Sequence, residues 1–333
     1  MRADCVPEEG SPREAVGRTR WPGRIARYLQ RMLPPAVFVP LGVLQFATIY
    51  LTTQALGGHV PLMWTWRASL GAASIVLIMY LMRVWDEFKD AENDLRLARA
   101  GDNRFGLRPV LTGDVTFGDL ATLRGILIGL LLTTGLLLGF PCPAAAFAGF
   151  FGAHWLSSKW YFCPAAIQKS LLLQLATHSP LALCSEAYIV ALSLCDTGFG
   201  VGAGRVLILA GSLWAIILAW EVARKVRLPE DESEYQTYSK ILGWRVAGIL
   251  PAVLVSLSLA GLLCTASDAG LSWALRGTLV ASAAVPVWAA IAFLTRPSRR
   301  RLRAFVPAVL LYGAVVNGGF VAALVIQRGV MLR

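Results

Sequence analysis

Apolar runs of about twenty residues recur from Pro34 to Gln327 between short polar breaks, and no other feature restricts the fold so strongly. A bilayer core about 30 Å thick is crossed by roughly 20 helical residues at about 1.5 Å each. The runs place spans near 34–54, 66–85, 119–139, 142–157, 170–194, 205–222, 245–265, 272–294 and 305–327. The fourth is the weakest, because Pro141, Pro143 and Gly149 interrupt a short run. The runs do not alternate, and hairpins such as 119–157 leave little backbone exposed, so they read as helices and not as strands of a barrel. With 56% hydrophobic and 15% charged residues, the chain is too apolar for an ordinary soluble domain. The expected fold is an all-α integral membrane protein, a bundle of about nine transmembrane helices. Residues 1–33 form a basic tail, 34–327 a single membrane domain and 328–333 a short C-terminal tail.

The net charge of +11 does not gather into a nucleic-acid-binding domain. Arg18, Arg20, Arg24, Arg27 and Arg31 precede the first span, and Lys89, Arg96, Arg99, Arg104 and Arg108 follow the second. Arg224, Lys225, Arg227 and Lys240 follow the sixth, and Arg299, Arg300, Arg301 and Arg303 the eighth. Breaks after odd-numbered spans carry few or none. The positive-inside bias therefore predicts a cytoplasmic N-terminus, cytoplasmic even-to-odd loops, and a C-terminus on the opposite side. The first 33 residues contain no apolar segment suited to a signal peptide, and about the first twenty read as a disordered tail. Trp21, Ile25, Tyr28 and Leu29, interleaved with Arg24, Arg27 and Arg31, read either as an amphipathic helix on the anionic inner membrane surface or as a plain basic flank. The six cysteines show no CxxC spacing, which predicts neither a zinc site nor a disulfide framework.

The break after the second span holds six carboxylates in seventeen residues, from Asp86 to Asp102. Asp86, Asp90 and Asp94 recur every fourth position, so they share a face if the helix continues. Like charges at that spacing repel, and a helix C-terminus is the wrong pole for anions. Oxygen-only ligands of this kind suit Mg2+, which commonly bridges one or two carboxylates to a substrate phosphate. Glu87, Asn93 and Asp102 extend the donor set. The competing reading is a solvated face balanced by Lys89, Arg96 and Arg99.

The string DExxDxxxD at Asp86, Glu87, Asp90 and Asp94, followed by Arg108, Pro109 and Gly113, resembles the UbiA superfamily of intramembrane prenyltransferases. That family carries NDxxDxxxD at the end of helix two, then an RP pair and a glycine before helix three. The first two motif positions differ here and the last two are kept. The family's second acidic motif, DxxxD after helix six, is absent. In its place stand Glu221, Arg224, Lys225 and Arg227, then Glu230, Asp231 and Glu232, with Thr237 and Gly243 fitting the downstream pattern.

The resemblance implies a nine-helix bundle around a central cavity opening to the cytoplasmic side. It also implies Mg2+-dependent transfer of an isoprenyl group from an allylic diphosphate to a lipophilic, electron-rich acceptor, with membrane lipids around it and no obligate protein partner. Asp86, Glu87, Asp90, Asp94 and either Glu221 or Asp231 would hold metal. Arg108, Lys169, Arg224 and Lys225 would meet the diphosphate, with Asp90, Asp94 and Arg108 as the catalytic set. Tyr161 and Lys169 loosely match the Tyr and Lys preceding helix five of the family. Both also suit interfacial anchors. Gln174, His178 and Ser185 form a polar stripe on the fifth span, with Glu186 beside it. The stripe, with Tyr161, reads as an acceptor pocket of Tyr161, Gln174 and His178 or as hydrogen bonding between helices. A UbiA-type terpene cyclase remains open as an alternative, as does a transporter or non-catalytic membrane protein. The absence of an evident internal repeat weighs against transport.

Overall fold

The computed structural model describes residues 20–100, 106–139, 141–198 and 200–333. The acidic N-terminal residues and the supplementary ligand Asp102 lie outside the described residues. The helices are α1 (Trp21–Met32), α2 (Pro35–Leu56), α3 (Trp66–Arg99), α4 (Phe117–Leu137), α5 (Cys142–Ser158), α6 (Leu171–His178), α7 (Pro180–Thr197), α8 (Ala203–Ala223), α9 (Trp244–Asp268), α10 (Trp273–Thr295) and α11 (Phe305–Arg328). Short helical turns occupy the breaks, and two three-residue strands pair in parallel, β1 (Leu62–Trp64) and β2 (Val330–Leu332).

Among the described residues, eight helical segments are long and apolar enough to cross a membrane, α6 and α7 together counting as one. The chain is thus a multi-pass integral membrane protein. The expected fourth span is α5, whose 17 residues reach only about 25 Å. The expected fifth span is broken at Ser179 and Pro180, since Pro180 brings no backbone N–H to continue the ladder. Trp214 on α8 donates its indole N–H to the Ser179 carbonyl at 3.0 Å.

Contacts group the chain into two compact units: the described part of Met1–Val39 with Leu77–Leu131, and Pro40–Val76 with Leu132–Arg333. In the first unit, α1 does form, but its apolar residues Ile25 and Tyr28 are buried in protein, not left to a lipid surface. Two of its arginines are bound by carboxylates. Arg24 donates from Nε and Nη2 to Asp119 at 2.9 and 2.7 Å, and Arg31 pairs with Asp114 at 2.9 Å. Asp119 also completes a reciprocal cap at the start of α4. It accepts from the Thr116 amide, while Thr116 Oγ1 accepts from the Asp119 amide.

In the second unit, α8 packs on α9 and α11, α9 on α10, and α10 on α11, while α7 bridges α5 and α8. Small residues permit the closest approach. A Cβ added to Gly261 of α9 would fall 2.0 Å from Ser212 Oγ of α8. Polar side chains add bonds between helices: Ser193 Oγ donates to the Tyr50 carbonyl, and Thr48 Oγ1 to that of Asn317.

At the C-terminal end of α7 a buried polar network gathers on Asp196. It accepts from Tyr50 Oη at 2.8 Å and Thr65 Oγ1 at 2.6 Å, with the Arg67 guanidinium 3.5 Å away. Next to it Cys195 is disulfide-bonded to Cys142, a pairing that the sequence reading did not anticipate. The two cysteines are 53 positions apart in no recognisable motif, and only the antiparallel packing of α5 on α7 brings them together. Replacing Cys142 with Ser should expose Cys195 to maleimide labelling without prior reduction. It should also lower stability by about 2–4 kcal/mol, read as a fall in the thermal denaturation midpoint.

Candidate functional site

Helix α3 is 34 residues long, about 51 Å, and exceeds what a bilayer core requires by roughly 20 Å. Its acidic C-terminal part therefore stands beyond the apolar span, and the unbroken helix places Asp86, Asp90 and Asp94 on one face. Three of the four motif carboxylates have a basic partner. Glu87 is ion-paired with Arg83 one turn back, Asp86 lies 3.3 Å from Lys89, and Asp94 lies 3.3 Å from Arg108. Asp90 has no hydrogen bond or ion pair among the described residues. Burial lifts its pKa to about 6. The Asp86 carboxylate adds to the rise, Lys89 opposes it, Asp94 adds and Arg108 opposes. Asp94 is also raised, chiefly by burial, against the pull of Arg108. Asn93, read as a further ligand, accepts from Arg96 at 3.0 Å.

The loop carrying Arg108 is closely braced. The Arg108 carbonyl accepts from the amides of Leu111 and Thr112 at 2.9 Å, and Gly113 takes a left-handed conformation with φ of 77° that a side chain would resist. Thr112 Oγ1 donates to Asp114, and Arg31 of α1 holds both Asp114 and the Leu107 carbonyl. Helix α1 thus fixes the segment that presents Arg108 to Asp94.

Sequence reasoning passed over Arg83 and the part of Tyr28 that faces α3. The signal was present: Tyr80, Arg83, Glu87, Asp90 and Asp94 follow a 3-4-3-4 spacing, which extends the acidic face one and a half turns toward the membrane. Burial raises the pKa of the Tyr28 hydroxyl, Glu87 raises it further and Arg83 opposes, so Tyr28 lies within the field of that pair.

In the second unit, Glu221 takes both cations of its own turn, Arg224 at 2.5 Å and Lys225 at 2.9 Å. Lys225 is buried, and its carbonyl accepts from the Tyr238 amide. Asp231 points elsewhere, to a bidentate contact with Arg299 at 3.1 and 2.5 Å. Glu232 is the carboxylate built into this loop, accepting from Thr237 Oγ1 and Ser239 Oγ. Thr237 caps the turn Tyr238–Leu242, and Gly243 follows with φ of 80°. Gln236 ties the loop to the residues before α6, donating to the Lys169 carbonyl and accepting from the Leu171 amide, both at 3.2 Å. The Lys169 residue is exposed.

Tyr161 and His178 come together. Tyr161 Oη donates to the Thr177 carbonyl at 2.8 Å, and its ring meets the His178 imidazole edge-on at 6.1 Å. Tyr161 sits in a turn of three successive left-handed residues, Trp160, Tyr161 and Phe162, a conformation costing about 1–2 kcal/mol per residue. The Gln174 side chain donates to the Gln168 carbonyl, its own backbone carbonyl lies 3.2 Å from His178 Nδ1, and Ser185 is 3.4 Å from His154.

Among the described residues, no three His, Cys, Asp or Glu side chains converge to hold one ion. There is thus no cage made wholly of protein ligands among the described residues. Carboxylates of this kind suit a hard cation shared with a phosphate, which needs only one or two of them, and Asp90 is the one with no ion pair among the described residues.

By its helices the chain is an all-α multi-pass integral membrane protein. It matches no protein-family model and no curated protein. A solved structure of a digeranylgeranylglyceryl phosphate synthase in membranes shares its fold at 12% identity and a TM-score of 0.59, over 92% of this chain and 100% of that one.

Proposed function

We propose that the protein is a membrane prenyltransferase that moves an isoprenyl group from an allylic diphosphate to a lipophilic, electron-rich acceptor. The observation that carries this reading is Asp90: a half-buried carboxylate with no hydrogen bond or ion pair among the described residues, at the end of a membrane helix, flanked by carboxylates that each have an ion-pair partner. The resemblance of the 86–94 string and the Arg108–Pro109 pair to the UbiA superfamily supports it. So does a fold shared with a synthase whose named product carries geranylgeranyl groups and a phosphate. Mg2+ bound through Asp90, with Asp86 or Asp94, would supply Lewis-acid neutralisation of a departing diphosphate. Asp94 holds the Arg108 guanidinium, and α1 holds the loop behind it, so that donor is positioned before substrate arrives. The allylic C–O bond breaks with its electron pair leaving on diphosphate. The acceptor supplies the pair that forms the new bond and then loses a proton. On the same resemblance we assign Arg224 and Lys225, which Glu221 anchors, to diphosphate binding, with Glu221 in the place of the second acidic motif.

The arginine-rich breaks support an orientation with the N-terminus and the acidic face in the cytoplasm and the C-terminus outside. The Cys142–Cys195 disulfide joins the start of α5 to the end of α7, and an oxidising compartment around those helix ends would agree with the same orientation.

Cyclisation of the isoprenoid is the second reading, favoured by Glu186. This residue of α7 is fully buried, and neither carboxylate oxygen has a partner among the described residues. A carboxylate there could take the terminal proton from a cyclised cation. To separate the readings, membranes containing the protein are incubated with a panel of allylic diphosphates, phenolic and quinone-precursor acceptors and Mg2+, and the products are resolved by mass spectrometry. A prenylated acceptor is expected, a cyclic hydrocarbon formed without acceptor would establish the second reading, and no product from any donor would overturn both. Glu186→Gln should leave prenyl transfer within about threefold of wild type, whereas loss of more than about 100-fold would move Glu186 into the chemistry.

A further inference from the structure

The polar stripe of α3 does not end at its carboxylates. Toward the membrane it continues through Arg83 and Tyr80, and Tyr28 reaches the same region from α1. Three donors here are buried without an acceptor among the described residues: Tyr28 Oη, Tyr80 Oη and Arg83 Nε. Tyr28 is 2% exposed and Tyr80 8% exposed, so bulk water does not reach them. Such groups ordinarily find partners, and a cluster of orphaned donors marks a place where an acceptor belongs. The charges of the neighbouring carboxylates are already met, Glu87 by Arg83 and Asp86 by Lys89, so the locality does not repel an anion as the bare sequence suggests. Helix α1 is also no loose flank. Arg24 and Arg31 fasten it at two points, one turn on either side of Tyr28.

We propose that Tyr28 and Arg83 form an oxyanion subsite at the membrane end of the acidic stripe, where the tyrosine O–H and the guanidinium Nε–H donate directly to an anionic oxygen of the substrate. Guanidinium and phenol donors suit a phosphate or diphosphate oxygen, and they bind it without an intervening metal. The proposal rests on the prenyl-transfer reading for the source of that oxygen alone. It is either the diphosphate of the isoprenyl donor or an acidic group on the acceptor. The subsite makes α1 part of the substrate-binding machinery and assigns Tyr28 to binding, while Arg31 is a positioning residue for the Arg108 loop.

The test uses full-length protein in detergent, with wild type, Tyr28→Phe and Arg83→Lys, the last keeping the charge that Glu87 needs while removing the Nε donor. Binding of inorganic pyrophosphate, a geranylgeranyl thiodiphosphate and dodecyl phosphate is measured by calorimetry, and thermal denaturation is followed without ligand. Because Tyr28→Phe deletes a hydroxyl that makes no hydrogen bond among the described residues and only neighbours Arg83, the ligand-free midpoint should stay within about 2 °C of wild type, while affinity falls about tenfold or more. Arg83→Lys should lose affinity similarly. Weakening of the thiodiphosphate and pyrophosphate identifies the isoprenyl donor as the source, and weakening of dodecyl phosphate alone identifies an acidic acceptor. A lower midpoint with unchanged binding in both variants would mean a structural role and overturn the subsite. Tyr28-dependent binding of pyrophosphate with no binding of the thiodiphosphate would keep the subsite and remove the prenyl-transfer reading. Absence of binding for all three probes in wild type would remove both.

Discussion

Replacing Asp90 with Asn should abolish turnover and stabilise the resting protein at once. Burial and the Asp86 carboxylate hold Asp90 to a pKa of about 6, against 3.8 for an unperturbed aspartate. An acid whose pKa rises on folding opposes the folded state once ionised. The cost is absent below about pH 4, grows as pH climbs toward 6, and is complete at neutral pH. In chelator at pH 7.5, Asp90→Asn should therefore raise stability by on the order of 1–2 kcal/mol, allowing for partial exposure, and at pH 4 the gain should vanish. Turnover should fall by about 100-fold or more, as for loss of a group that serves developing charge in the transition state. Paired measurements of melting midpoint and diphosphate release check both. A variant that is less stable and still active would mean that Asp90 is an ordinary structural residue.

Arg83→Met should have the largest effect on stability. It would leave Glu87, 4% exposed, as a buried carboxylate without its cation, and such a loss costs about 3–5 kcal/mol. Adding Glu87→Leu removes the orphaned charge, and the double variant should recover most of the loss, because a buried pair replaced by apolar groups is often neutral or better. Thermal melts of the two single variants and the double variant give the coupling directly. Equal losses in Arg83→Met and in the double variant would show that the ion pair is not what Arg83 contributes.

The pattern of apolar runs announced the membrane fold, because every span must satisfy its own backbone and therefore carries its length in its composition. Pro180 was visible in the same pattern, yet the run through it is so apolar that hydropathy alone reads one span where the backbone makes two helices. The continuation of α3 past the membrane was the step that turned the spacing of Asp86, Asp90 and Asp94 into a face. What the sequence could not display was partnership. That Glu87 is held by Arg83, Asp231 by Arg299 and Glu221 by Lys225 depends on rotamers and packing that composition does not encode. Cys142 and Cys195 meet only because two helices run antiparallel, and no local signal marks that. Tyr28 was read for the amphipathic helix that displays it. Its burial follows from Asp119 and Asp114, roughly ninety residues away in the chain.

Release of diphosphate is the direct test of the central claim that Asp90 and Asp94 serve an allylic diphosphate. Purified protein is incubated with geranyl, farnesyl and geranylgeranyl diphosphates, with Mg2+ or with chelator, comparing wild type with Asp90→Asn and Asp94→Asn. Release is predicted to require Mg2+ with at least one donor in wild type and to be lost in both variants, whereas metal-dependent release that continues undiminished in both would contradict the assignment.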